Sequence, residues 1–540
     1  MRDQLRRDCS EIWVIDCSPE GHQPEVATRI FQGVQQPICI VLAARAPKKN
    51  VQKPARLHFR ALPEGKREEK FKTLSNLSLS DSEWIDGPSG WRDAFLPDRA
   101  GAWGAFVSLD DCFVSNSSGI MPGRTWVVAP DTWSLRQRWD RLVTETSPAR
   151  KEELFFPTLR DGKLADRHTN KVVTDGLVGH EFRQITVAND PGSVVNPIRF
   201  GFRSFDRQWL IPDNRLLLSA RPELWQSMSR QQVFLISLEK RSPENGPALT
   251  LSALLPDQNF YKGSSSGRVF PLWRDASATI PNIKPALTAY LSSVFSQAVP
   301  PEDMMAYISA LLAHPAFTKH FQSDLLRPGL RVPITAQSAL FLEAVNIGRQ
   351  VVWLHSYGDR FADASAGRPP SPPRLPTGEG PTIPADGAIP GAPEPLPNTM
   401  EYDPSRLRLS IGKGFIDNVP KAVFEYEVSG RNVLRQWFSY RKLDRSRPMI
   451  GDRRSPSPLE KIQPDHWVDE YTTDLMNLLH VLGCLVKLES AQADLMERIC
   501  AGPLIGFQAL AAAGALVAPP SAKGGRRAQG ASGSDLFGTN

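Results

Sequence analysis

The sequence predicts the end of an α/β sheet, followed by a large α+β region that becomes helical towards the C-terminus. Three observations lead there. Glu11–Asp16 and Pro37–Arg45 are continuous apolar runs of strand length, the pattern of strands covered on both faces. Residues 81–190 are rich in Trp and broken by Gly and Pro, as in irregular mixed structure. From about 282 to 356, and again from His466 to Cys500, the apolar pattern becomes that of amphipathic helices.

Residues 2–8 read as the last turns of a helix, and a loop of about 20 residues joins the first two strands. Two isolated strands are marginal in water, so this hairpin needs neighbours on its sheet. No convincing run of strands precedes it, and the chain is therefore expected to begin inside a domain. A short strand over Leu57–Leu62 and a charged helix around Lys66–Leu74 come next. Further on, Gln232–Leu238 reads as a strand and 263–267 as a Gly/Ser turn. Helical patterns flank a break at His314-Pro315: Ala306, Ile308, Leu311 and Leu312 before it, Leu340, Leu342, Val345 and Val351 after it. Residues 365–399 are rich in Pro and Gly and poor in bulky apolar side chains, which predicts a disordered or extended insertion. A β segment over Ala422–Val428 precedes a basic helix or turn at 431–454. Trp467, Tyr471, Leu475, Leu478, Leu482, Leu485 and Leu488 then mark a helix or helix pair from His466 to Cys500. Residues 501–540 read as a disordered low-complexity tail.

The chain has 540 residues, 41% hydrophobic and 23% charged, with a net charge of +6. Such a length and composition allow two to four domains with real cores, and the mild positive charge permits a nucleic-acid partner without demanding one. The six cysteines form no C-x-x-C pair, so neither a disulfide framework nor a structural zinc site is supported. The charged N-terminus lacks the apolar segment of a signal peptide, and no apolar run is long enough to span a bilayer. A cytoplasmic protein with reduced thiols and no membrane partner is the expectation.

Two segments concentrate cations beside aromatic rings. In residues 202–225, Arg203, Arg207, Arg215 and Arg221 alternate with Phe202, Phe205, Trp209 and Trp225. Guanidinium forks bind phosphates and base edges bidentately and stack on rings. The same pattern equally fits a half-buried strand and turn whose arginines pair with Asp206, Asp213 and Glu223. Residues 431–454 hold Arg431, Arg435, Arg441, Lys442, Arg445, Arg447, Arg453 and Arg454 against Asp444 and Asp452, with Trp437, Phe438 and Tyr440 interleaved. That cluster suits positioning on phosphates, and a solvated surface loop is its alternative.

The stretch 202–225 resembles the "Y-R-P-F-D-x-R-W … R-P-E-L-W" signature of the C-terminal specificity region of type ISP restriction–modification enzymes. Further blocks follow in the family's order: Asp257–Tyr261 with Val269–Trp273, Glu302–Pro315, Arg331–Ile334, and Val428–Trp437 with Arg441 after it. Met1–Asp16 and Pro37–Arg45 resemble the final strands of γ-class N6-adenine methyltransferases, "M-R-x-x-L-x-x-x-F-x-E-I-W-I-I-D" and "V-A-I-x-x-L-x-R". Cys9 and Ser10 stand where an apolar–polar pair is commoner. The resemblance implies the end of a methyltransferase fold over 1–75 and a target-recognition domain over 76–364, interrupted by the insertion at 365–399. It also implies that 400–500 completes that domain with C-terminal helices.

The family's S-adenosylmethionine loop, its N-P-P-Y tetrapeptide and its nuclease and helicase motifs are not found in this sequence. Asn196-Pro197-Ile198-Arg199 shares only two letters with the tetrapeptide and offers no ring to stack on an extruded adenine. Gly263–Gly267 has the G-x-S-x-G spacing around Ser265, but no apolar strand leads into it and Pro271 follows where a helix should start. Glu68-Glu69-Lys70 fits a solvated helix face, and His314 a structural role at a helix break. No catalytic or metal-ligating residue is therefore expected, and S-adenosylmethionine only in a complete enzyme.

The resemblance implies sequence-specific recognition of double-stranded DNA on behalf of an adenine-specific methyltransferase domain or chain. The expected DNA contacts are Arg203, Arg207, Arg215 and Arg221, then Arg435, Tyr440, Arg441, Lys442, Arg445 and Arg447. A protein-interaction or structural module with basic patches and no DNA role is the alternative.

Overall fold

The structure, a computed structural model, describes residues 2–519 except 21–27, 32–33, 35–36, 48, 51–52, 88–94, 98–101, 157–158, 161–162, 165–167, 239–242, 244, 262–266, 327–328 and 446–456. Its architecture is mixed α/β, with several small sheets set among helices rather than one large sheet.

The chain opens with β1 (Glu11–Asp16), β2 (Cys39–Ala44) and β3 (Arg56–Ala61). β1 lies between the other two, antiparallel to β2 and parallel to β3, and Ile85–Asp86 extends the far edge. The neighbours that the first hairpin needs thus come from within the chain. Ile12, Val14, Leu57 and Phe59 pack on one face of the sheet, and Ile15, Cys17, Ile30 and Leu62 on the other. Coverage on both faces stops at β1 and β3, however. β2 is an outer strand whose Val41 and Leu42 are each 41% exposed, so its continuous apolar run does not reflect burial among these residues.

Two extensive cores follow. One gathers Trp126, Trp139, Phe200, Leu210, Trp225, Trp437 and Tyr471, and the other Phe113, Phe270, Met304, Tyr307, Phe341 and Ile499. β4 (Ile198–Arg203) and β5 (Asp206–Leu210) form an antiparallel hairpin in the first core. β6 (Phe234–Leu238) runs between β7 (Leu249–Ser252) and β8 (Gly267–Pro271) and shares its side chains between both cores. The helical region comprises Pro285–Phe295, Pro301–Leu312, Pro315–His320 and Ser338–His355, each but the last starting on a proline where the missing N–H costs nothing.

Residues 365–399 are extended but not disordered. Too few apolar groups to fold alone suffice when a neighbour supplies the other half of each contact. Leu375 and Leu396 are buried, Trp353 Nε1 donates to the Pro369 carbonyl at 2.9 Å, and Thr382 and Asp417 exchange backbone hydrogen bonds. The Leu375 amide donates to Nδ1 of His480 on the long C-terminal helix at 3.1 Å. An antiparallel meander, Met400–Asp403, Arg408–Ile411 and Gly414–Ile416, follows, its middle strand burying Leu409 and Ile411 in polar–apolar alternation. Lys421–Phe424 is a helical turn rather than the expected strand, because Pro420 opens it; only Glu427–Val428 is extended, pairing with Arg431–Asn432.

The pattern from His466 is one helix, Asp469–Ala501, of 33 residues. The segment expected to begin a disordered tail instead turns back as Phe507–Ala512, burying Ile505, Leu510 and Ala515 in the second core. Residues 520–540 lie outside the described residues. Among the described residues no helix is long and apolar enough to cross a membrane, and no group of three or more His, Cys, Asp or Glu side chains could hold a metal ion.

Candidate nucleic-acid interface

The hairpin of β4 and β5 organises the site. Its register runs from Ile198 opposite Leu210 to Arg203 opposite Asp206, with an irregularity between Gly201 and Arg203 that lets the strand bend. The turn places Phe205 at φ 61°, a strained conformation for an aromatic residue. Its surroundings hold it there. Phe205 packs on His355 with centroids 4.8 Å apart, and the Tyr357 hydroxyl donates to the Phe205 carbonyl at 2.8 Å. Burial pushes His355 down to about 3, so it stands neutral beside the turn.

Once placed, the expected contact residues divide by what their guanidinium groups meet. Arg215 is 1% exposed and lies between Asp213 at 2.6 Å and Asp190 at 2.8 Å. Arg441 is fully enclosed: it donates to Asp206 at 2.9 Å and to the Trp437 carbonyl at 2.9 Å, with its plane 3.9 Å from the Trp437 ring. A side chain withdrawn to that extent cannot reach a phosphate or a base, so the expectation of DNA contact is corrected for both. They are ties within the protein. The paired alternative read from 202–225 holds for Arg215 with Asp213, whereas Asp206 takes Arg441 from 235 residues away.

Arg203 is mostly enclosed, bonded to Asp257 at 3.0 Å and lying over the Phe202 ring at 3.8 Å. Burial raises the Asp257 carboxyl above its ordinary range, against the pull of Arg203. Tyr440 meets the edge of Phe202 with centroids 5.0 Å apart and so serves as packing for that arginine. Arg445 donates to the carbonyls of Tyr440 and Glu460 at 3.2 and 3.4 Å. Burial lowers its pKa, as it does that of Arg138, which drops to about 10.

The remaining cations face outwards. Arg207 lies flat on the Tyr357 ring at 3.8 Å and forms no ion pair with a described residue. It lines a small cleft with Arg203, Phe205, His355 and Asp359. Arg435 is exposed beside Phe424, and Lys442 is half-buried. Arg221 is half-buried beside a second, polar concavity of about 290 Å³ that it lines with Asn116, Ser117, Ser118, Glu223 and Arg268. Arg447, like the G-x-S-x-G serine Ser265, lies outside the described residues. Arg207, Arg221, Arg435 and Lys442 are thus the expected residues that keep a free side for a ligand.

Arg268 and residues 116–118 escaped notice in the sequence. They belong to segments about 50 and about 100 residues from Arg221, respectively, and meet it because Ser117 and Ser118 pair with β8. No local spacing signals that.

The model of the Type ISP C-terminal specificity domain matches residues 111–478, which include the hairpin, the concavity and the basic segment up to Arg445. No curated protein matches significantly. Among solved structures the chain is similar to the ATP-dependent Type ISP restriction-modification enzyme LlaBIII bound to DNA, at 15% identity and a TM-score of 0.51, covering 94% of this chain and 32% of that one. It is also similar to the DrdV–DNA complex, at 14% identity and a TM-score of 0.50, covering 92% of this chain and 48% of that one. At such identities the likeness is one of fold. The chain spans between a third and a half of the length of these proteins.

Proposed function

The chain belongs to the Type ISP C-terminal specificity domain family, and from that premise we propose that it recognises double-stranded DNA as the target-reading part of an adenine-specific N6 methyltransferase within a restriction–modification enzyme. The carrying observation is that the family match spans the region in which Arg207, Arg221, Arg435 and Lys442 keep a free side. Arg207, Arg435 and Lys442 have no internal counter-charge among the described residues and can replace condensed counterions on phosphates, whose release drives association. Arg215, Arg441 and Arg203 hold the scaffold on which the outward cations stand.

The chain is not catalytic alone under this reading. A methyltransferase domain or chain supplies the chemistry and binds S-adenosylmethionine in the cytoplasm. Supporting its attachment at the N-terminal sheet, β2 pairs on one side only among the described residues and exposes Val41 and Leu42, and an outer strand of that kind is a template for further pairing.

Duplex binding titrated against salt tests the DNA reading. Three or four phosphate contacts give a slope of about −3 in log K against log salt. Absence of duplex binding at about 50 mM salt, where such contacts are least screened, overturns it.

A further inference from the structure

The concavity beside Arg221 differs from the other cationic surface in its charge balance. Its six lining residues, Asn116, Ser117, Ser118, Arg221, Glu223 and Arg268, are all polar or charged. Arg268 Nη1 donates to both oxygens of Asp110 at 2.7 and 2.6 Å, and Asn116 Nδ2 donates to the same carboxylate at 2.9 Å. The Ser117 hydroxyl donates to Glu223 at 2.5 Å. Two arginines therefore stand against two carboxylates, and the surface has no surplus positive charge to attract a phosphate.

What it offers instead is a fixed set of donors and acceptors. Arg suits the O6 and N7 acceptors of guanine, Asn matches adenine, and a carboxylate accepts from the cytosine amine. Phosphate contacts position a protein on DNA, while contacts of this second kind select the sequence. Arg221 is also built differently from its neighbours. Its backbone sits at φ 56°, and its Nε is enclosed with no hydrogen-bond partner. The backbone bridge between Met121 and Ser219 anchors the approach to it. The constrained backbone fixes where Arg221 stands at the rim of the concavity, and its guanidinium has no hydrogen-bond or ion-pair partner among the described residues.

We propose that this concavity reads base edges of the target duplex, with Arg221, Glu223 and Asn116 as its specificity-determining residues. The inference rests on the DNA-reading function proposed above and divides labour within it: Arg207, Arg435 and Lys442 hold phosphates, and the concavity chooses the sequence.

Selection of a randomised duplex library by the full chain, with deep sequencing of bound and unbound fractions, tests it. Glu223→Gln and Asn116→Ala change exposed side chains and leave the fold intact; Arg221→Ala is read alongside them. The expected result is a roughly ten- to hundred-fold loss of preference at one or two positions of the enriched motif, with the salt slope unchanged. An unaltered motif with a slope reduced by about one makes the concavity a phosphate site and overturns the inference. Binding by the parent chain without any enriched motif also overturns it, while leaving DNA contact intact. No duplex binding by the parent chain overturns the function on which it rests.

Discussion

Replacing Arg441 by Ala isolates the difference between an arginine that holds the protein together and one that holds DNA. Arg441 is wholly enclosed and its partner Asp206 is 2% exposed, with 2.9 Å between them. Removing the guanidinium leaves Asp206 with only the Gln208 amide, at 2.7 Å, as a described hydrogen-bond donor to its side chain. Stranding one charge of a buried pair typically costs about 3–5 kcal/mol. The guanidinium also lies 3.9 Å from the Trp437 ring and 5.6 Å from Tyr471, so packing is lost as well. Arg441→Ala should therefore lower stability by at least about 3 kcal/mol.

The double variant Arg441→Met with Asp206→Asn removes both charges at similar volume and should recover most of that loss, because no buried charge is then left without its partner. Urea unfolding followed by Trp fluorescence measures both, and duplex binding of the double variant against salt completes the comparison. An internal tie leaves the salt slope unchanged, whereas a phosphate contact would reduce its magnitude by about 0.9. A stability loss below about 1 kcal/mol, the range of a surface pair, or a reduced slope in the folded double variant refutes the assignment.

Arg207→Ala should do the reverse: it removes a cation resting on Tyr357 at 3.8 Å, costs about 1 kcal/mol or less in stability, and reduces the salt slope of DNA binding by about one. Gly348→Ala should lower the thermal midpoint, because its helix passes so close to Pro301–Leu312 that an added methyl overlaps the Ala306 carbonyl. The expected cost is about 1–3 kcal/mol despite the better helix propensity of Ala. Burial pushes His355 down to about 3 and His314 to about 4, so the unfolded chain takes up protons near pH 6.5 that the native chain refuses. Their contribution is complete above pH 6.5 and falls below it by about 1.4 kcal/mol per pH unit for each histidine. Urea midpoints that stay level from pH 6.5 to 4.5 contradict this. Glu489, pushed up to about 7 by burial, acts oppositely, losing stability as pH rises from 4.5 through 7, and Glu489→Gln should abolish that decline.

The legible parts of the fold were those whose signal is local. The apolar runs of β1 and β2 and the strand and helix at 56–76 announce themselves within a dozen residues, and the stripe from Trp467 to Leu488 becomes one helix. What escaped depends on distant partners. Residues 365–399 have too little apolar surface to fold by themselves, and only the faces of Trp353 and His480 order them. The 400–416 meander is an exception, since residues 406–411 alternate polar and apolar side chains with the period of a strand. Dependence on distant partners extends to the site. The sequence shows that Arg215 is two residues from Asp213, and that pair forms; it cannot show that Arg441 meets Asp206 or that Arg268 joins Arg221.

Arginine density in 198–221 therefore reflects two demands at once. Arg199 ties the hairpin to Glu470 and Asp474 on the long helix at 2.9 and 3.3 Å, Arg203 ties it to Asp257, and Arg441 reaches into it from the basic segment. Three distant parts of the chain meet on one hairpin through guanidinium–carboxylate pairs, and the cations left over point outwards from that junction. Substituting an inward arginine would move the outward ones, so affinity losses at Arg199, Arg203 or Arg215 would arise without any contact to DNA. A scan of this stretch assigns contacts only where stability is measured on the same variants, and the salt slope is the quantity that separates the two causes. A displaced scaffold lowers affinity at every salt concentration, whereas a lost phosphate contact changes the slope.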